Sequence, residues 1–353
     1  MSEESVTPPL EPVPKPDPAV PPPETPSVHG EHPGQEEHVE QGSSLWIDAW
    51  KRLRKNRVAV VSAVILLVLV ALCIVHPMVT SLPYDKADLD TGATGPSWKH
   101  WFGTDDHGRD LFSRVTFGGR VSLAVGIIAT IISFTIGVTW GAIAGYFGGR
   151  TDTIMMRIVD VLYTLPLLVF VILLTAFFAN KETIFYEWFV GFLEIFMTPE
   201  EAKDPSYLPL FKIFFVFGAL GTMSWLTMAR IVRGQIIALR SQLFVEAARS
   251  VGVSDLRLVF RHLVPNALGP IIVYTTLTIP EVMLTEAFLS FLGLGTEEPL
   301  SSWGQLVSNG VESLDLYPWL TIFPGLLLAV TLFCFNFLGD GLRDALDPRI
   351  RKD

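Results

Sequence analysis

The chain has 353 residues, half of them hydrophobic and only 18% charged. With several apolar runs of bilayer length, that composition excludes an ordinary soluble domain and indicates a multi-spanning membrane protein. The formal net charge of −10 is concentrated in one place: residues 1–43 hold nine acids against Lys15 alone, which is −8 of it, and leave the rest near −2.

In chain order, residues 1–43 come first. They are dense in proline and lack apolar periodicity, so a disordered, solvated acidic tail is expected. The first apolar run begins only after residue 57, and no cleavable signal peptide is expected ahead of it. Residues 44–57 form an interfacial helix in this reading. Trp46, Trp50 and Leu53 share one face, and Lys51, Arg52, Arg54 and Lys55 lie elsewhere.

Six spans follow, at about Val58–Val75, Val121–Phe147, Ile158–Ala179, Leu210–Val232, Ala267–Leu294 and Pro318–Leu338. Each approaches or exceeds the roughly 20 residues that cross a bilayer as helix. Runs of this length are too long for barrel strands, so the fold class is all-α. Cys73 and Cys334 both fall in apolar runs and read as small packing residues.

Orientation follows from lysine and arginine. The bases at 51–57, Arg150, Arg157, Arg233, Arg240, Arg249, Arg257, Arg261, Arg343, Arg349, Arg351 and Lys352 all fall on one side of a six-span chain. That side is expected to be the cytoplasm, with both termini in it. Arg109, Arg114 and Arg120 fall on the other side but are outnumbered.

The segment Phe102–Arg114, FGTDDHGRDLFSR, carries acids and glycines before the second span. Its spacing fails the EF-hand pattern, which needs a bidentate glutamate at a fixed offset, so no metal is expected. A turn held by Asp105, Arg109 and Asp110, with Arg114 contributing ion pairs, fits the residues. Further on, Phe185, Tyr186, Trp188, Phe189, Phe192 and Phe196 make 180–208 an aromatic outer loop. A helix at the outer interface is expected there, with a contact surface for an external protein as the alternative.

Between the fourth and fifth spans lies a polar stretch, Phe244–Asn266. Glu246, Ala247 and Ala248 favour a helix that Gly252 stops. Ser254 can cap a second helix. Leu256, Val259, Phe260 and Leu263 fall on one face of it, Arg257 and Arg261 on another, and Pro265 marks its end. The expected product is two short helices at a glycine corner, a docking surface at the membrane.

Within the fifth span Thr278, Glu281 and Thr285 share a face. Ionisable groups at that depth are costly and commonly face a bundle interior or wet cavity. A pathway-lining stripe is one reading and a structural hydrogen-bonding site the other, the latter especially for Glu286. Pro280 could kink the helix there. The dipeptide Gly-Lys never occurs, so no G-x-x-x-x-G-K-[ST] phosphate loop is present, nor H-E-x-x-H or G-x-S-x-G. The chain is expected neither to hydrolyse ATP nor to cleave peptides.

Four elements carry a resemblance to a known family. Glu246, Ala247, Ala248, Gly252 and Pro265 match in register the E-A-A-x3-G-x9-I-x-L-P loop of ABC importer permeases, with His262 in place of the isoleucine and Val264 in place of the leucine and the spacing intact. Gly103, Asp105, Gly108, Arg109 and Asp110 resemble the G-T-D-x-x-G-R-D element of dipeptide, oligopeptide and nickel importer permeases. Glu286–Gly295 with Ser302–Gly304, and Asn336–Arg349, are similar to the same group. The resemblance covers about 45–353.

It implies a C-type permease subunit with a type I importer bundle, forming the translocation path for di- or oligopeptides in a bacterial inner membrane. Nickel, haem or another small solute, or a non-transporting scaffold or sensor, are the alternatives. It further implies an interfacial helix, first span and periplasmic loop over 44–115, and a transmembrane domain over 116–342 with a coupling loop at 241–266. Residues 343–353 would be a cytoplasmic tail. The implied partners are a second permease in a heterodimer, two ATP-binding subunits, an extracytoplasmic solute-binding protein and the lipid bilayer, with no nucleic acid. Cofactors are expected in the partners alone, as ATP and Mg.

Overall fold

The computed structural model describes residues 45–178, 183–195, 198–199, 204, 208–296, 298 and 300–346. The acidic tail 1–43, residues 347–353 of the C-terminal tail, Ala179, Phe196 and Pro299 lie outside the described residues. All that follows concerns one unit, Ser44–Asp353.

Among the described residues every regular element is helical. The interfacial segment is α1, Leu45–Lys55. Asn56 ends it and caps α2, Arg57–Val79, its side-chain oxygen accepting from the Ala59 N–H at 3.2 Å. The long helices that follow are α3 (Leu111–Phe147), α7 (Leu208–Leu239), α10 (Val264–Phe291) and α12 (Trp319–Leu346). Between them lie α4 (Gly149–Tyr163), α5 (Leu167–Phe178) and α6 (Ile184–Leu193), then α8 (Leu243–Ser250), α9 (Asp255–Leu258) and α11 (Trp303–Glu312). Among the described residues five helices are long and apolar enough to span a membrane, and six spans result if the bent pair α4–α5 counts as one.

That pair corrects the expected third span. Instead of one helix over Ile158–Ala179, two helices meet at 87°. Pro166 is the cause: its ring disfavours helical backbone at Leu165, and it has no N–H to continue the ladder. Helix α5 starts afresh beyond it, with Phe170 N–H donating to the Pro166 carbonyl at 3.0 Å.

Helix α3 also departs from expectation, starting at Leu111 and not Val121. Asp110 caps it by accepting from the Ser113 N–H at 2.8 Å. Arg114 and Arg120, which read as outside the span, are absorbed by partners. Pro77, inside α2, cannot donate to the Cys73 carbonyl four residues back. Arg120 Nε donates to that carbonyl at 2.6 Å, and its Nη2 reaches the Ile74 carbonyl.

The core is organised by the crossing of α3 and α7. Gly137, Gly141 and Gly145 recur every four residues on α3, opposite Met228, Val232 and Ile236 at the same spacing on α7. All three α7 side chains are fully buried. A β-carbon at Gly137 would sit 2.6 Å from the Met228 β-carbon, and one at Gly145 would sit 2.8 Å from the Arg233 carbonyl. Lipid tails give no hydrophobic drive between helices, so close backbone approach and van der Waals contact must hold the pair.

Replacing Gly141 by leucine is therefore expected to destabilise the purified protein by about 1–3 kcal/mol or more through overpacking. Gly218→Ala, on α7 with nothing within 4 Å of the added carbon, is the control and is expected to be neutral or slightly stabilising. Thermal midpoints in detergent distinguish the two.

Candidate functional site

Helix α8 ends in a Schellman turn. Gly252 adopts φ +83°. Its N–H donates to the Arg249 carbonyl at 2.9 Å, and the Val253 N–H reaches back to the Ala248 carbonyl at 3.1 Å, the paired bonds that define the motif. Nothing lies within 4 Å of an added β-carbon at Gly252, so the constraint is the backbone angle and not space. Ala248 and Val253 both pack on the core beneath the corner. The corner expected from the sequence is present.

The second helix differs from expectation in three respects. Ser254 occupies the cap position, but its side chain makes no capping bond. Pro265 ends nothing: after α9 the chain winds as a π-helical turn, Val259–Leu263, and runs directly into α10. The Val264 N–H bonds the Val259 carbonyl, and Pro265 falls in the first turn of α10, where its missing N–H costs no ladder bond. The extra residue in the turn also rotates the apolar face. Leu258, Val259 and Leu263 are buried, while Leu256 and Phe260 are exposed. The corrected core face of the loop is Val245, Leu258, Val259 and Leu263. Each contributes about 1.5–3 kcal/mol if water is excluded from it fully.

This helix pair is bolted to the end of α3 by a residue that the sequence reading missed. The Tyr146 hydroxyl donates to Asp255 Oδ1. Arg249 lies over the Tyr146 ring at 5.2 Å, and its Nε donates to the same hydroxyl at 3.4 Å. Tyr146 thus touches both helices of the pair, across more than 100 residues of sequence. Nearby, Arg233 grips Asp152 through two bonds, at 2.5 and 2.7 Å, and Arg240 donates to the Gly145 carbonyl at 3.1 Å. The outward face carries exposed Glu246, Arg257 and Arg261 beside bare apolar side chains: Leu243 is 82% exposed, Val251 84% and Leu256 58%. Ala247 is exposed and Ala248 half-buried.

The Gly103–Arg114 turn lies before α3, at the helix end opposite Tyr146. Asp105 Oδ1 accepts from the backbone N–H groups of His107 (3.0 Å) and Arg109 (2.8 Å). Its Oδ2 accepts from Arg109 Nε at 2.8 Å and from Arg114. Glu298 completes the cluster, 3.0 Å from Arg109 and 3.2 Å from Arg114. Asp110 holds His100 at 2.9 Å while it caps α3. Gly103 (φ +81°) and Gly108 (φ +69°) make the bends, and a side chain at Gly108 would strike the Asp88 carbonyl. Burial alone would raise the Asp105 carboxyl, but Arg114, Arg109 and the backbone donors outweigh it and hold it below the ordinary carboxylate range. A hydrogen bond from Arg109 likewise lowers Glu298. Asp105, Arg109 and Arg114 meet in one cluster, while Asp110 holds His100 and the start of α3.

The third set is divided. Glu281 and Thr285 line a cavity of about 250 Å³ beside the α4–α5 break. Thr278 does not: it is fully buried, its hydroxyl turned back to the Tyr274 carbonyl at 3.0 Å. Tyr163, Ser224, Thr227 and Tyr274 join the lining instead. Glu286 is structural, buried and accepting from Ser290 at 2.6 Å and from Ser302 at 2.7 Å; Ser302 in turn caps α11.

Comparison with known proteins follows this geometry. Residues 137–352 match the family described as binding-protein-dependent transport system inner membrane component. The chain belongs to that family. Its residues 44–96 match the N-terminal TM domain of oligopeptide transport permease C. The oligopeptide transport system permease protein OppC of Haemophilus influenzae is 44% identical over 90% of this chain and 92% of its own length. OppC of Bacillus subtilis is 42% identical over 90% and 95%, and the dipeptide transport system permease protein DppC of that organism 40% over 86% of each. A solved structure of the MetNI methionine ABC transporter aligns with a TM-score of 0.46 at 16% identity, over 66% of this chain and 96% of that one. The permease is thus a multi-pass, all-α membrane protein, and the resemblance stated from its motifs holds.

The Asp105 cluster yields a signed expectation. A carboxyl whose folded value lies below its ordinary 3.8 contributes stability that is present above that value and lost as pH falls through the lowered one. Wild-type thermal stability in detergent is expected to fall below about pH 4 by this route. Asp105→Asn leaves buried Arg114 with half-exposed Glu298 as its remaining counter-charge, so the loss at neutral pH is expected to stay below the figure of about 3–5 kcal/mol for a fully broken buried pair, with a flatter acid limb. Thermal midpoints from pH 7 to 3 check both.

Proposed function

We propose that this permease is one half of the membrane channel of a bacterial ATP-driven importer of di- or oligopeptides. The loop geometry carries this reading. The pair α8–α9 offers bare Leu243, Val251 and Leu256 around charged Glu246, on a corner fixed by Gly252 and rooted to the bundle through Tyr146. An exposed apolar patch rimmed by charge on a rigid mount is an interaction surface. The relatives, oligopeptide and dipeptide transport permeases by name, supply the peptide class.

The ends of the chain lie in the cytoplasm by the excess of lysine and arginine on their side, so the loop faces the cytoplasm as well. The partners are a second permease in a heterodimer, two ATP-binding subunits that hold ATP and Mg, and an extracytoplasmic binding protein. Closure of the ATPase pair moves the docked helix pair. Because α9 continues through the π turn into α10, and α8 follows α7 after a three-residue link, that motion reaches two of the helices that line the cavity. Access to the cavity switches as the ATP state biases one arrangement over the other.

The reconstituted complex tests this with Glu246→Ala, an exposed site whose loss leaves the fold alone, and Gly252→Pro, whose fixed negative φ cannot make the corner. Solute uptake and solute-stimulated ATP hydrolysis are expected to fall together by about tenfold or more, within the range of coupling free energies. If both activities persist in both variants, the loop is not the coupling element.

A further inference from the structure

The cavity beside the α4–α5 break has one feature that the proposed function does not use. Its polar lining is Tyr163, Ser224, Thr227, Tyr274, Glu281 and Thr285. Most of these groups are already occupied. The Ser224 hydroxyl donates to the Leu220 carbonyl at 3.0 Å, and Thr285 donates to the Glu281 carbonyl at 2.7 Å. Tyr163 and Thr227 share a hydrogen bond of 3.1 Å. The cation against the Tyr163 ring is committed too: Arg230 stacks on it at 4.3 Å and pairs with Asp160 at 2.9 Å. The Glu281 carboxyl differs, having no hydrogen bond or ion pair among the described residues.

A carboxyl at membrane depth without a partner is costly to keep, and such groups mark solute or ion paths. The contrast with Glu286, one turn and a half further along α10, is direct. That acid is sealed between two serine hydroxyls at a helix junction. Glu281 instead opens on a cavity at a broken helix, the setting in which irregular backbone at membrane depth is tolerated because it lines a binding space.

The lining also selects the kind of ligand. Among the described residues no group of three His, Cys, Asp or Glu could hold a metal ion, here or elsewhere. One acid with two tyrosine rings suits an organic ammonium: a carboxylate for its N–H donors and aromatic faces for its charge. Among the described residues no lysine or arginine lines the cavity to receive an anion.

We infer that Glu281 receives the protonated amino group of the solute as it crosses, with the Tyr163 and Tyr274 rings flanking it. This rests on the peptide reading above, since a peptide with a free N-terminus carries that group. It assigns the cavity a chemical preference of its own, separate from any choice made by an external binding protein.

The test uses the complete reconstituted transporter, with trialanine and N-acetyl-trialanine as probes. Dicyclohexylcarbodiimide joins a carboxyl to a neighbouring amine as an amide, and mass spectrometry locates the product. A trialanine adduct on Glu281 is expected, and none with the acetylated form. Trialanine uptake by Glu281→Gln is expected to drop about tenfold or more, the scale of one charge-assisted hydrogen bond, with partial rescue in Glu281→Asp and unchanged assembly by gel filtration. Three results overturn the inference while the peptide reading stands: uptake by Glu281→Gln within twofold of wild type, an adduct formed equally by both probes, or an adduct joining Glu281 to the second permease in place of trialanine. A wild-type complex that moves no trialanine yet imports another solute overturns the peptide reading, and the inference with it.

Discussion

The close crossing of α3 and α7 is the contact on which the other features depend. Water excluded from apolar surface does not hold two helices together in lipid, so contact density must. Glycines at 137, 141 and 145 remove one side of the interface and let Met228, Val232 and Ile236 fill it. The consequences appear at two places along α7. Toward its C-terminus the seam brings Tyr146 alongside α8 and α9, where it can bind Asp255 and Arg249. Further back along α7, Ser224 and Thr227 come to the wall of the cavity that Glu281 lines. One seam therefore places the docking pair and the cavity in fixed relation to each other.

Backbone satisfaction imposes a second constraint, and the prolines show three solutions to it. Pro77 leaves the Cys73 carbonyl without its ladder donor, and Arg120 from α3 supplies one, which also gives the charged side chain a use inside the bundle. Pro166 is not compensated in this way, and the helix breaks there. Pro265 follows a π turn that places it in the first turn of α10, so no break is needed and the loop stays continuous with a spanning helix. The same residue type gives a bridge, a hinge-like break and a through-connection, according to which donors lie nearby.

Much of this was legible in the sequence because it is local. The glycine corner at 252 follows from a helix-favouring run, a residue free to take positive φ and a capping position after it. The Asp105 turn follows from acids, glycines and an arginine within eight residues. What the sequence did not reveal was set by distant partners. Arg114 and Arg120 read as charges that should keep clear of the bilayer, because Glu298 and the α2 carbonyls that hold them lie far off in sequence. Tyr146 was missed because nothing local joins it to Asp255, 109 residues away. The buried face of the second loop helix was misjudged because a uniform 3.6-residue period carries Leu256 and Phe260 inward, and one π turn changes the phase. Thr278 shares a face with Glu281 by the same arithmetic, yet it is closed off by its own backbone and by the neighbours that bury it.

The two acids on α10 show how position along one rigid element separates structure from function. Glu286 sits where α10 meets the cap of α11, and two serine hydroxyls satisfy one of its oxygens. It fixes the helix at that end. The π turn and the Tyr146 clamp fix the other end to the docking pair. Glu281 lies between these two anchors and is held by neither. A helix anchored at both ends and carrying an unpartnered carboxyl near the break of its neighbour joins the loop to the wall of the cavity, which is the connection that the proposed coupling needs. Rigidity in α10 and the break at Pro166 are then complementary. In the coupling proposed above, the continuous helix carries motion from the loop and the break is the place that yields to it, while the α3–α7 seam stays packed.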